Sequence, residues 1–233
     1  MLQRGTMKIH FSIDDIIGTL RWAYRNEPTS IFDMRFFHTL KTWHEKYGMK
    51  VTLYMFFSDG ADFDLTMLQE KYVSELKNSE DWMKVAYHGI YGGDKYIGDP
   101  DRFKKEMMAF YQIFEGGGLS QTVRLHCWRC PISIGEWKNI SNGDCLLCPD
   151  ETRESVYDLI EEEIAAVQKG NLIQKHGVVY RKTDIRCDYC EDINQLVGKN
   201  GYGQCLYVFL HEWRFEQQKD IVEDFLKEGD EFE

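Results

Sequence analysis

The sequence contains no long hydrophobic run, and no stretch approaches the roughly 20 apolar residues that a membrane-spanning helix needs. Met1–His10 also lacks the apolar centre of a secretory signal. We therefore expect a cytoplasmic protein with no membrane partner. Met7 is a candidate natural start, and residues 1–6 are then expected to be disordered or a remnant of expression.

Positive charge is scarce as well, because 28 Lys and Arg against 39 Asp and Glu give a formal net charge of −11. Nucleic acids and anionic membranes attract basic surfaces, so this composition argues against either partner. It favours a small neutral or cationic substrate. Repeats, linkers and low-complexity tracts are also absent, so residues 1–233 are predicted to form one domain. The 43% of hydrophobic residues suffices for a large core.

Short apolar segments alternate with amphipathic helical segments along the chain. Seven strands are predicted, at residues 7–15, 51–57, 83–88, 123–128, 145–148, 178–184 and 205–210. The main helices are predicted at residues 31–47, 65–76, 99–114, 152–169 and 193–197, and after the last strand. Such alternation implies an α/β fold with parallel strands joined by right-handed crossovers. The sheet is either closed as a barrel or open with helices on both faces, and seven strands favour a (β/α) barrel with one unit missing.

Ionisable residues cluster at the carboxyl ends of these strands, where parallel α/β folds place their chemistry. They are Asp14, Asp15, His88, Arg124, His126, Asp184, His211 and Glu212. Two adjacent acids at a strand end can take different tasks, one holding a cation and the other acting as a base. The alternative is a solvated strand end or a helix cap, since Asp favours both.

Four short motifs carry a resemblance to a known family. They are Ser12–Asp15, Tyr87–Gly89, the strand led by Arg124, and Val208–Glu212. In order and spacing, across nearly the whole chain, they resemble the motifs of the polysaccharide deacetylases. The resemblance implies a distorted seven-stranded (β/α) barrel. It also implies removal of N- or O-acetyl groups from a carbohydrate with a divalent metal, often zinc.

Carried over by position, the resemblance implies a role for each of five residues. Asp14 would be the general base, Asp15 and His88 metal ligands, Arg124 the partner that orients the base, and His211 the general acid. These residue types suit the reaction, because deacetylation needs a polarised carbonyl, an activated water and a proton for the leaving group. A carboxylate and imidazoles suit zinc or a similar cation.

The chain departs from the family pattern in its second and third motifs. The second motif supplies another histidine four residues after the first, and here that position is Gly92. Asp94 and His126 are the candidates for the missing ligand. His126 is favoured, because residues two apart on a strand, such as Arg124 and His126, point to the same face. The third motif continues with Pro and an aromatic residue, which this chain replaces with His126 and Cys127.

The cysteines suggest a protein of another class, a zinc-ribbon interaction protein. Two pairs have the spacing of a four-thiolate zinc site: Cys127, Cys130, Cys145 and Cys148. The two leucines inside the second pair favour instead a core strand with buried thiols. Cys187 and Cys190 either bind metal with Cys205 or have no role.

Two tryptophans are predicted to line a pocket. Trp128 and Trp213 each follow a predicted rim residue, and sugar faces stack readily on aromatic rings. A pocket of this kind also fits a third possibility, a non-catalytic carbohydrate-binding barrel. The predicted ligand is in either case a small carbohydrate or acylated molecule, while the sequence leaves the oligomeric state open.

Overall fold

The computed structural model describes residues 8–93, 98–200, 205–228 and 231–233, and of residues 198–200 it describes the backbone only. The strands are β1 (Lys8–Ile16), β2 (Val51–Phe56), β3 (Met83–Gly89), β4 (Thr122–Val123), β5 (Cys145–Cys148), β6 (Ile173–Lys175), β7 (Val178–Lys182), β8 (Ile185–Arg186), β9 (Cys205–His211) and β10 (Glu231–Phe232). The α-helices are α1 (Gly18–Asn26), α2 (Arg35–Tyr47), α3 (Glu70–Lys77), α4 (Pro100–Ile113), α5 (Ile134–Ser141), α6 (Glu161–Gln168), α7 (Ile193–Asn200) and α8 (Phe215–Leu226).

Two sheets join to make the barrel. One has the order β3-β2-β1-β9-β8 with all pairs parallel, and β10 adds to the start of β1. The other has the order β4-β5-β7-β6, in which β6 is antiparallel to β7. Val85 of β3 bridges Leu119 just ahead of β4, and the chain passes from β7 through Thr183 into β8. The sheets therefore meet at both sides. Leaving aside β6 and β10, and counting β7 and β8 as one strand that passes from one sheet to the other, the barrel has seven strands, which confirms the distorted α/β barrel.

The central strands are buried on both faces. Every residue of β2 is buried, and β9 is buried up to Leu210. Helices cover the barrel with apolar stripes, as α2 does with four buried residues, Phe36, Phe37, Leu40 and Trp43. Gly48 ends α2 in a left-handed conformation at φ 68°. Among the described residues, no helix combines the length and apolarity that crossing a bilayer requires.

Two predicted elements are wrong in part. The strand predicted at residues 123–128 stops at Val123. Residues 126–128 form a short 3-10 turn instead, in which Cys127 and Trp128 adopt left-handed conformations at φ 53°. His126 therefore does not share a strand face with Arg124. The helix predicted at residues 152–169 begins only at Glu161. Its first half is held instead by tertiary contacts, including a hydrogen bond from the Tyr157 amide to the Trp128 carbonyl.

Candidate active site

The candidate site lies where β1, β3 and β9 end. In the parallel pairing of β1 with β9, Asp14 lies opposite His211, and His88 is near the end of β3. The pairing of β1 with β2 shifts register at the two acids, and Asp15 has a φ of 62°, which few residues other than glycine adopt. This irregularity lets Asp14 and Asp15 face different partners.

Three side chains form a group that could hold a metal ion. One ligand atom each from Asp15, His88 and His126 lies within 4.8 Å of the other two. Asp15 Oδ1 is 3.2 Å from His88 Nε2 and 3.6 Å from His126 Nδ1. This oxygen is buried, yet it accepts no hydrogen bond from the described residues. The three atoms therefore converge as ligands of one cation do, and one carboxylate with two imidazoles suits zinc while leaving positions open.

The two imidazoles are positioned by neighbouring backbone. His88 Nδ1 lies 2.7 Å from the carbonyl oxygen of Arg124. Because a carbonyl oxygen only accepts, Nδ1 donates a proton to it, and this contact orients the ring with Nε2 towards Asp15. His126 packs beside Gly89, where an added Cβ would lie 3.3 Å from the His126 Cβ. A glycine at this position therefore allows the close approach of His126.

Electrostatics in the group favour an ionised carboxyl. Burial opposes the ionisation of Asp15, but its contacts with His126 and His88 hold the pKa of this carboxyl well below its usual range. Burial also lowers the pKa of His126, but contacts with Asp15 and Cys127 outweigh it and raise this pKa to about 10. A cation bound here would therefore displace a proton from His126.

Asp14 belongs to a separate buried network. Its Oδ1 lies 2.6 Å from Nη1 of Arg124, and both side chains are 2% exposed. Arg124 also donates to the hydroxyls of Ser12, at 3.3 Å, and Thr183, at 3.1 Å. Its guanidinium carbon lies 4.1 Å from the centre of the Phe209 ring. These contacts fix the guanidinium and, through it, the orientation of the Asp14 carboxylate.

His211 is held by Asp188, an acid that the sequence did not single out. His211 Nδ1 lies 2.6 Å from Asp188 Oδ2, and the His211 amide donates to the other carboxylate oxygen at 2.9 Å. Burial lowers the pKa of His211, but Asp188, Asp14 and Asp15 outweigh it and raise this pKa. His211 Nε2 is left facing Asp15 Oδ2 at 3.9 Å. Asp188 lies two residues after Arg186, where β8 ends. The strand predicted from the sequence ends at Asp184, so Asp188 is not among its predicted rim residues.

Two cavities open beside these residues. The polar cavity has a volume of about 580 Å³, and its lining includes Asp14, His88, Arg124, His126, Trp128 and His211. The apolar cavity has a volume of about 850 Å³, and its lining includes Asp15, Gly92 and Trp213. Both volumes lie in the range of small-molecule sites. The candidate ligands and the acid and base thus border a cavity on two sides.

The two predicted pocket tryptophans each line one cavity. Trp128 borders the polar cavity, with the guanidinium carbon of Arg153 4.9 Å from its ring centre. Trp213 borders the apolar cavity, and its Nε1 donates to Asp15 Oδ2 at 3.1 Å. Its ring also stacks on His211 at a centroid distance of 5.3 Å. Trp213 therefore links the candidate metal group to the apolar cavity.

Other predicted rim residues take different places. The rim position predicted for Asp184 is wrong, because its carboxylate accepts from the Tyr207 amide, four residues before the end of β9. Glu212 accepts hydrogen bonds from the backbone amides of residues 17–19 and so caps α1. Asp94, the other candidate for the missing ligand, lies outside the described residues.

The cysteines do not form the zinc site that their spacing predicts. Within the described chain, the one candidate metal group is that of Asp15, and it includes no thiol. Cys127 lies in the left-handed turn after β4, while Cys145 and Cys148 lie in β5. Burial raises the pKa of the Cys130 and Cys145 thiols to about 12, so they stay protonated at neutral pH. The other interpretation, a core strand with buried thiols, holds for β5 and for Cys148, whereas Cys127, Cys130 and Cys145 are partly exposed.

Comparison with solved structures gives likenesses in fold. The chain resembles a 4-α-glucanotransferase from Thermococcus litoralis at 12% identity and a TM-score of 0.55, over 97% of this chain. The two share a fold. The chain spans 37% of the length of that enzyme.

Two further solved structures are similar at lower TM-scores. A peptidoglycan N-acetylglucosamine deacetylase matches at 9% identity and a TM-score of 0.43, over 97% of this chain and 85% of its own. An acetyl xylan esterase of family 4 from Clostridium thermocellum, solved with a cobalt ion, matches at 10% and 0.42, over 97% and 87%. No protein-family model and no curated protein matches the sequence.

Proposed function

We propose that this chain is a metal-dependent hydrolase that removes an acyl group, such as acetyl, from a carbohydrate or a related amide or ester. One observation carries the proposal. The ligand atoms of Asp15, His88 and His126 converge beside the polar cavity that Asp14 and His211 border. Asp14 and His211 each have a buried charged partner of their own, Arg124 and Asp188 respectively. The resemblance of the motifs around these residues to polysaccharide deacetylases points to the same reaction.

Asp14 and His211 divide the proton transfers. Asp14, oriented by Arg124, takes a proton from the attacking water. His211, held by Asp188 with Nε2 free of that contact, gives a proton to the departing nitrogen or oxygen. The new bond joins the water oxygen to the acyl carbon, and the bond from that carbon to the leaving group breaks. The products are a carboxylic acid and a free amine or alcohol.

Asp15, His88 and His126 would hold the divalent cation, most suitably zinc. When bound, such a cation polarises the scissile carbonyl and lowers the pKa of a bound water. His88 donates from Nδ1 to the Arg124 carbonyl, so its ring is fixed in orientation with Nε2 facing Asp15. Trp128 and Trp213, at the two cavities, would pack against the substrate.

The test separates metal binding from catalysis. The purified chain of 233 residues, loaded with zinc and dialysed, is analysed for metal content and for release of acetate from acetylated chito-oligosaccharides and 4-nitrophenyl acetate. We expect about one zinc per chain and activity that a chelator removes. Asp15→Asn should lose the zinc, because it removes the charged ligand between two imidazoles. Asp14→Asn should keep the zinc and lose at least about 10²-fold in rate.

A matched control and circular dichroism complete the experiment. Asp224→Asn changes an exposed acid that pairs with Lys227, and it should keep both zinc and activity. If the folded Asp14→Asn protein hydrolyses as fast as the wild type, the assigned base is wrong. If zinc-loaded wild type binds sugar but releases no acetate from any substrate, the chain is a carbohydrate-binding barrel.

A further inference from the structure

Gly92 occupies the place of the missing motif histidine and lines the apolar cavity. Its backbone does not require glycine, because its φ lies outside the positive range that favours glycine. An added Cβ would meet only ring atoms of Phe56, at 3.6 and 3.7 Å, which is ordinary contact. A Cβ therefore fits at this position, and glycine leaves that space open to the cavity. His126, which lies in the third motif, completes the candidate metal group instead.

The apolar cavity begins at the candidate metal group. Asp15 is part of its lining, and Trp213, which donates to Asp15 Oδ2, forms another part. Much of the remaining wall is hydrophobic: Trp22, Met34, Phe36, Phe56 and Phe215. A volume of about 850 Å³ is far more than the two carbons of an acetyl group occupy. With acetyl alone, most of this apolar wall would stay in contact with water.

Two large aromatic side chains of this cavity are unusually exposed. Trp22 is 50% exposed and Trp213 is 51% exposed. Exposed aromatic surface next to a cavity is costly in water, and it marks places where an apolar ligand binds. A ligand that enters between these rings would bury them and reach Asp15.

The polar cavity fits the other half of the substrate. Asp14 and His211 border it, and Arg129, Arg153 and Arg186 contribute further polar surface. His211 protonates the leaving group, so the leaving group belongs on this side. The acyl group then extends past Asp15 in the other direction, towards Gly92.

We propose that the apolar cavity binds the hydrocarbon chain of an acyl group much longer than acetyl, such as octanoyl. The inference rests on the proposed hydrolase function and specifies its substrate class, an acylated polar molecule with an aliphatic chain. The reaction is hydrolysis as above. Water supplies the oxygen and the proton, the chain leaves as a fatty acid, and the polar part leaves as an amine or alcohol.

Binding of the product chain tests the cavity without catalysis. Acetate, butyrate, hexanoate and octanoate are titrated into the zinc-loaded protein and into the chelator-treated protein. Tryptophan fluorescence reports binding beside Trp22 and Trp213. We expect the affinity to rise about threefold to fourfold for each added methylene, which is the usual gain for burying this group. The rise should appear in both preparations, because it comes from the chain and not from the carboxylate.

Gly92→Leu is the decisive variant, because its side chain would fill part of the cavity. It should bind octanoate at least about tenfold more weakly than the wild type does, with acetate affinity changed less than twofold. Gly135→Leu is the matched control, since an added Cβ at this helix position meets nothing within 4 Å. It should bind both acids as the wild type does. Circular dichroism establishes that both variants are folded.

The outcomes separate this inference from the proposed function. Equal affinity for acetate and octanoate in the wild type, or unchanged octanoate binding in folded Gly92→Leu, would overturn the chain-binding cavity even if acetyl esters are hydrolysed. The opposite result is also possible to observe: binding depends on chain length, Gly92→Leu abolishes that dependence, and neither 4-nitrophenyl acetate nor 4-nitrophenyl octanoate is hydrolysed. This result would support the chain-binding cavity and contradict the proposed hydrolase function. We expect 4-nitrophenyl octanoate to be preferred over the acetate, and Gly92→Leu to reverse that preference.

Discussion

Arg124 and Asp14 form an ion pair of 2.6 Å in which both side chains are almost fully buried. Removing one partner leaves the other charge in a place where water does not reach it. We expect Arg124→Met to lower the free energy of unfolding by about 3–5 kcal/mol. Urea denaturation followed by circular dichroism measures the loss.

The double variant Asp14→Asn/Arg124→Met is the control for this prediction. It removes both charges, so it should be more stable than Arg124→Met alone. A double variant that is destabilised by the sum of both single effects would show that the pair does not interact as the structure describes.

Asp188 is expected to act on catalysis as a positioning residue, through His211. Asp188→Asn keeps the size of the side chain but weakens the contact that orients His211 and raises its pKa. We expect kcat to fall by about 10²-fold while zinc content and KM stay nearly unchanged. Steady-state kinetics and metal analysis on the same preparation measure these quantities.

Asp184→Asn is the matched variant for this prediction. Asp184 is a nearby acid whose carboxylate contacts the Tyr207 amide and not His211. Its substitution should leave kcat within about twofold of the wild type when the protein is folded, as for other changes outside the reacting groups. An equal loss of kcat in both variants would mean that Asp188 acts only through folding.

Glu212 stabilises the barrel by capping α1. Its carboxylate accepts from the amides of residues 17–19 at the positive end of that helix. Glu212→Gln should therefore cost about 1–2 kcal/mol of unfolding free energy. Glu216→Gln, at an exposed acid in the next turn, should cost less than about 0.5 kcal/mol. Thermal or urea unfolding of the two variants, side by side, decides this.

His10 is predicted to make stability depend on pH. Burial, together with the nearby charges of Arg124, Arg181 and Lys84, lowers the pKa of its side chain to about 3. The unfolded chain therefore binds a proton at this site between pH 6.5 and 3 while the folded chain does not. The stability from this site is present above pH 6.5 and is lost as the pH falls, at up to about 1.4 kcal/mol per unit.

The variant His10→Phe isolates this contribution. It keeps an aromatic ring beside Tyr207, on which His10 stacks, and Tyr54 keeps its hydrogen bond to the Thr122 carbonyl. The unfolding free energy of the wild type minus that of the variant should fall by about 1 kcal/mol per pH unit as the pH is lowered from 6.5 to 4.5. A pH-independent difference for His10→Phe would contradict the buried neutral imidazole.

Sequence patterns predict the strands β1, β2, β3, β5 and β9 nearly to the residue. Alternation and continuous apolar runs are local signals, and strands buried on both faces produce them directly. The same reasoning fails where tertiary contacts replace local preference. The chain after Val123 turns through left-handed residues, and the chain before Glu161 is held against the Trp128 carbonyl.

The amino-acid sequence by itself determined the barrel class and placed Asp14, Asp15, His88 and His211 at strand ends, because the ends of parallel strands meet at one rim. Only the tertiary structure decided which side chains meet there. A left-handed turn brings His126 to Asp15, and a loop after β8 brings Asp188 to His211. These contacts join residues more than 20 positions apart. Their geometry depends on how the whole barrel packs, and no local pattern of residues encodes it.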